Sequence, residues 1–141
     1  MRKNEKKFIV EMNQTQLCII QRALESFFRC RYNQFHDLAD DLAFAGYKRE
    51  EDDEKASDFN RRIKARCDAE ELFKAAGNIA RPPQNRTQKT EECMIAEDMW
   101  AVIRHEQYIA NGGKMKMENA SVAHPPLMIS DEEPIIVNEK K

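Results

Sequence analysis

The sequence predicts a mainly α fold: a three-helix core with a small β element formed by the N-terminal and C-terminal segments. Three observations carry the prediction. Apolar residues recur at steps of three and four through most of the chain, the period of a helix buried on one side. Only four glycines and five prolines interrupt 141 residues, which leans away from an all-β chain. A short N-terminal run, "KFIVEM", instead alternates and is rich in strand formers. A chain of this length suits one compact domain, residues 1–141, and can bury a core without disulfide or metal staples.

Each element follows in order. Residues 7–12 read as a short strand. "NQTQLCIIQRALESFFRCRYNQFHDLADDLAFAG" reads as one long helix over 14–45, capped by Asn13 or Thr15 and stopped by Gly46. Its apolar stripe is Leu17, Ile20, Leu24, Phe27, Phe28, Phe35, Leu38 and Leu42. Arg31 projects near the centre of that stripe, with Gln34 at its edge. A guanidinium there must snorkel, pair with a carboxylate, or meet an anion or a partner protein. A second helix is expected over 50–76, beginning in the charged run "KREEDDEK" and stopping at Gly77. "RPPQNRTQK" is loop. Thr87 or Thr90 caps a third helix over 90–110, with Glu91 and Glu92 in its favourable first turn and "NGG" as its stop. The remainder, 114–141, is an irregular tail with short strands at 115–118 and 134–138, placed to pair with the N-terminal strand.

Composition excludes several classes. The net charge is −2, from 23 basic and 25 acidic residues, so no global basic field draws the chain to nucleic acid or an anionic membrane. No apolar run approaches the roughly 20 residues of a membrane helix, and the N-terminal apolar stretch is too short for a signal peptide. A cytoplasmic protein is expected. Cys18, Cys30, Cys67 and Cys93 lack C-x-x-C spacing and read as reduced thiols, with no metal site. Phosphate-loop, dinucleotide, serine-hydrolase and zinc-protease signatures are absent. No catalytic residue and no cofactor is assigned. An enzyme acting on nucleotides, with His105 as acid or base, has no motif behind it.

The third helix holds the candidate site. Ile95, Met99, Val102, Ile103 and Ile109 project as an apolar core face. Trp100, Arg104 and Tyr108 fall at i, i+4 and i+8 on the other side, with His105 on their shoulder. Two large aromatics astride an arginine call for a covering surface. Three coverings are open: the chain's own "HPPLMI" segment, a second copy of the chain, or a ligand with a flat ring and an anionic group. Arg104 would fork such an anion, and His105 would add a hydrogen bond.

The stretches "RALESFFRCRYNQF", "AEDMWAVIRHEQY" and "HPPLMISDEEP" resemble a family of small phage and prophage accessory proteins. The matching positions are Ala23, Leu24, Glu25, Arg29 and Gln34, then Ala96, Asp98, Val102, Ile103, Arg104 and His105, with Tyr108 at the aromatic place. Asn33 stands where the family has Gly, Glu97 where it has Tyr, and Ala101 where it has Gln. The matches cover about a third of the chain and carry no activity with them. What the resemblance implies is an accessory protein of a mobile element that works by binding in the host cytoplasm. The expected function is counter-defence: sequestering a small anionic, nucleotide-like signal in a pocket of a homo-oligomer. Arg104, His105, Trp100 and Tyr108 would make one wall, and Arg31, Arg29 and Gln34 another. The alternative is an inhibitor or regulator that docks a host protein through the Trp100/Arg104/Tyr108 face.

Overall fold

A computed structural model of the chain describes residues 5–47, 56–81, 89–113 and 122–140. The fold is mainly helical. Among the described residues it has four helices and no strand: α1 Gln14–Arg31, α2 His36–Ala43, α3 Ala56–Ala80 and α4 Glu91–Ala110. The chain divides into two compact units, Met1–Phe28 with Lys89–Lys141, and Arg29–Gln88.

In the first unit, α1 starts at a reciprocal cap. Asn13 Oδ1 accepts from Gln16 N at 2.9 Å, and Gln16 Oε1 accepts from Asn13 N at 3.0 Å. Two of the helix's orphan N-terminal groups are thereby satisfied by side chains. α4 is capped by Thr90, whose side chain accepts from Cys93 N. It ends at Asn111, where Gly112 and Gly113 both take φ +73 and Gly113 N donates to Tyr108 O at 3.0 Å. Glycine adopts this left-handed conformation without a Cβ penalty, so "NGG" closes the helix as its sequence demands.

α1 and α4 run antiparallel. Gln14 meets Asn111, Cys18 and Gln21 meet Gln107, and Phe28 meets Trp100. The buried residues of this unit are Phe28, Cys93, Ala96, Ile103 and Val122, with Asp98 and His105 as buried polar groups. The face expected as core is therefore rotated. Ile103 is buried, but Ile109 is 53% exposed, and it is Trp100 and Gln107 that meet α1.

In the second unit, the expected single helix over 14–45 is broken. Tyr32 N and Gln34 N both donate to Arg29 O, and Asn33 sits at φ +61. That conformation costs most L-residues about 1–2 kcal/mol, and asparagine tolerates it best after glycine. The break resets the helical phase, so Leu42 lies outside at 61% exposure instead of continuing the stripe. α2 ends before Gly46, at φ +73, as the sequence predicts.

α2 and α3 form an antiparallel hairpin. His36 faces Glu70 at 3.4 Å, Asp40 faces Arg66 at 3.5 Å, and Phe35 stacks near Phe73 at 5.8 Å. Ala39, fully buried, lets the helices approach. Arg62 donates to the carbonyls of Ala43 and Ala45 at 3.0 and 3.1 Å and ion-pairs with Asp58. A cation thus caps the negative end of α2. The hairpin face of α3 carries Arg62, Arg66, Glu70, Phe73 and Gly77, which is why its apolar stripe is weak in the sequence.

Gly77 does not stop α3, which runs to Ala80. It serves close approach instead. A Cβ there would collide with the Asn33 side chain and lie 3.2 Å from the Phe35 ring, while Asn33 Nδ2 donates to Asn78 Oδ1 at 3.1 Å. The expected start of the second helix at 50–55, most of the "RPPQNRTQK" loop and the 115–118 strand lie outside the described residues.

The β element is corrected. Residues 7–12 and 134–138 form no strand. Lys7 pairs with Glu133 at 2.8 Å and Glu11 with Lys140 at 3.1 Å. These are contacts between exposed side-chain tips, among the described residues no backbone hydrogen bond joins the two segments, and Pro134 has no N–H to give a ladder.

Candidate functional site

α4 and the tail that returns over it make up the site. The Trp100 ring meets the Phe28 ring edge-on, centroids 5.3 Å apart at 70°. On Trp100 lies the Arg104 guanidinium, 4.3 Å from the ring centroid, the distance of a favourable cation–π contact. Both residues are half-buried. A planar guanidinium keeps in-plane donors while its face is stacked, so the pair combines a fixed apolar surface with a directed cation.

The other expected members of this wall are engaged differently. His105 is 8% exposed, and its Nδ1 lies 2.8 Å from Val122 O. A carbonyl only accepts, so Nδ1 carries the hydrogen and donates. Tyr108 is half-buried one turn on from Arg104, with its hydroxyl beside Gly113 at the helix end. The structure thus brings Trp100 and Arg104 together, places His105 under the chain's own tail, and directs Tyr108 toward the C-terminus of α4.

The residue to which sequence reasoning gives no site role is Asp98, named there only as a position matching the family pattern. It lies seven positions before His105, on the same side of the helix, and is 6% exposed. Its carboxylate accepts from Ile129 N at 2.9 Å and Ser130 N at 3.0 Å, and also from the Ser130 hydroxyl. Ser130 Oγ in turn accepts from Glu132 N at 3.3 Å. The signal was present: an acid in mid-helix, on one line with a histidine, followed by a serine-bearing turn in the tail. Val122 at His105 and Ser130 at Asp98 fix the tail's direction, antiparallel to α4. Of the three coverings, the chain's own tail takes the His105–Asp98 side.

Beyond Ser130 the tail borders a groove of about 410 Å³ at the start of α4. Ile95, Met99, Pro134 and Ile135 give it apolar walls, and Glu5, Glu91, Glu92, Glu132 and Glu133 supply carboxylates. Such a field repels phosphate and carboxylate ligands.

The second expected wall falls in the other compact unit. Arg29 donates to Gln34 Oε1 at 2.8 Å and pairs with Asp37 at 3.3 Å. These contacts brace the turn between α1 and α2. Arg31, half-buried, ends α1, where a cation suits the helix dipole. Among the described residues, no group of three or more His, Cys, Asp or Glu side chains is placed to hold a metal. No described helix is long and apolar enough to cross a membrane.

Comparison with family models, curated proteins and solved structures finds no match to this chain.

Proposed function

We propose that this is a small helical accessory protein of a phage or prophage that acts in the host cytoplasm by docking a host protein through the Trp100–Arg104 face of α4. The observation that carries the reading is the Arg104 guanidinium stacked 4.3 Å over Trp100. Trp, Arg and Tyr are the side chains that dominate protein–protein binding energy when set in a fixed, partly covered surface. Here Phe28 meets the Trp100 ring edge-on, a packing contact that restricts the ring before any partner arrives and so lowers the ordering cost of binding.

Asn33 supports the resemblance to the phage family. That family has Gly at this place, and the φ of +61 at Asn33 is a conformation that Gly and Asn share. The departure from the pattern thus keeps the backbone requirement.

A second reading, sequestration of a nucleotide-like anion, draws on the same Arg104. It has less support. His105 is engaged with Val122 O, one face of Trp100 is occupied by Arg104, and the groove nearby is acidic.

The test is a paired binding experiment. Tagged wild type and Arg104→Glu are used to capture partners from host cells, and both are screened for thermal shifts with linear and cyclic nucleotides. Docking predicts one host protein retained in stoichiometric amount by wild type and lost from Arg104→Glu, with no nucleotide shift. A nucleotide shift that disappears in Arg104→Glu would replace docking with sequestration.

A further inference from the structure

We propose that the groove between the start of α4 and the tail beyond Ser130 is a second docking site, whose occupant is a segment of a partner protein carrying an apolar side chain flanked by lysine or arginine. The inference uses residues apart from the Trp100–Arg104 pair, so either site can fail without the other.

The two walls repeat one composition. On the α4 wall, Glu91 and Glu92 precede Ile95 and Met99. On the tail wall, Glu132 and Glu133 precede Pro134 and Ile135. Ile95, Met99 and Ile135 are half-buried, so both walls still present apolar surface. The space between them, about 410 Å³, falls within the roughly 300–1,000 Å³ of ordinary binding clefts.

Charge complementarity selects the occupant. Lys7 meets Glu133 at 2.8 Å, while Lys89 is turned to Glu97, outside the groove, at 3.6 Å. Among the described residues, no lysine, arginine or histidine lies within ion-pair distance of Glu5, Glu91 or Glu132. These carboxylates favour a cation arriving from outside and disfavour an acidic partner. The apolar side chains between them are covered only if that cation comes with an apolar neighbour. The tail wall adds a main-chain surface. Residues 133–137 lie outside any helix or strand, and among the described residues no backbone hydrogen bond engages them. Apart from Pro134 N, their N–H and C=O groups can pair with the backbone of a bound polypeptide. A small polyamine has no carbonyl to offer them.

The probe is a synthetic peptide, acetyl-RLRLR-amide, titrated into the full chain while the methyl signals of Ile95, Met99 and Ile135 are followed by NMR. It should shift all three and bind more weakly as salt rises. On the same protein, acetyl-ELELE-amide should bind at least about tenfold more weakly for want of cations. For want of apolar side chains, so should acetyl-RSRSR-amide. Glu91→Gln combined with Glu132→Gln should weaken the first peptide roughly fivefold, the loss of two surface ion pairs. Glu139→Gln, exposed in the tail outside the groove, should bind as wild type does. Circular dichroism should be the same for all three proteins. Four results would overturn the proposal. The first is an absence of shifts at the three methyls. The second is acetyl-RSRSR-amide or spermidine matching the peptide, which would make the groove a general attractor of cations. The third is binding that the double substitution leaves intact, or that Glu139→Gln weakens equally. The fourth is a chain that sediments alone as a dimer and becomes monomeric on the double substitution, which would give the groove to a second copy.

Discussion

Asp98 grips Ser130 through its backbone N–H at 3.0 Å and through its hydroxyl, with the Ile129 N–H held on the other carboxylate oxygen at 2.9 Å. The relationship makes the tail a part of the surface of α4. It also fixes which side of that helix the tail holds: Asp98 and His105 are buried beneath it, and the Trp100–Arg104 pair is half-buried.

Removing the carboxylate should release the tail. Asp98→Ala is expected to lose about 1–3 kcal/mol of stability in urea denaturation, the cost of hydrogen bonds to a buried charged acceptor. Amide exchange at Ile129 and Ser130 should accelerate while that of central α4 changes little. Asp98→Asn should fall between, since its amide nitrogen cannot accept. Unchanged protection at Ile129 and Ser130 would show that the carboxylate does not hold the tail.

Gly77 offers a prediction whose sign runs against helix propensity. In an open helix Gly→Ala stabilises by about 0.5–1 kcal/mol. Here the added methyl would collide with Asn33 and crowd Phe35, and overpacking costs about 1–3 kcal/mol. Gly77→Ala should therefore destabilise on balance. In an Asn33→Gly background, which keeps the left-handed turn and removes the obstructing side chain, the same change should cost markedly less. Equal losses in both backgrounds would place the collision elsewhere.

Arg62 should govern both the end of α2 and the titration of Asp58. Hydrogen bonds from Arg61 and then Arg62 hold the Asp58 carboxyl below its ordinary pKa. A depressed carboxylate contributes stability above its unfolded pKa, and that contribution is lost as pH falls through the folded value. A half-buried pair at the surface contributes little by itself, so the readout is the titration itself. Arg62→Ala should raise the Asp58 pKa toward the ordinary carboxylate range, seen by NMR. It should also lower stability by about 1 kcal/mol as the carbonyls of Ala43 and Ala45 lose their donor. A pKa unmoved by Arg62→Ala would assign the depression to Arg61 alone.

These positions also show how far the sequence speaks. The ends of α4 were legible because Thr90, Glu91, Glu92 and "NGG" act locally, each on orphan groups of its own helix. Asn13 at the start of α1 was legible for the same reason. The break at Asn33 was hidden because one asparagine in the left-handed region leaves the surrounding apolar spacing helical. Gly77 resembles a helix stop because a terminating glycine and a close-approach glycine look alike in sequence. On α4, both sides carry large apolar residues, so spacing alone could not tell which meets α1. The terminal arms carried strand-forming residues, but a strand needs a partner in register, and that is not a local property. The nearness of Trp100 and Arg104 follows from their i, i+4 spacing, whereas the role of Asp98 depends on the tail returning over the helix.

The central claim is that the Trp100–Arg104 pair is a docking face, and quantitative capture from host cells tests it most directly. Wild type, Arg104→Glu and a control reversal at Arg61, on the exposed side of α3, are compared. One host protein held at stoichiometric level by wild type and by Arg61→Glu, but lost from Arg104→Glu, is the predicted result. Equal retention by all three would contradict the claim.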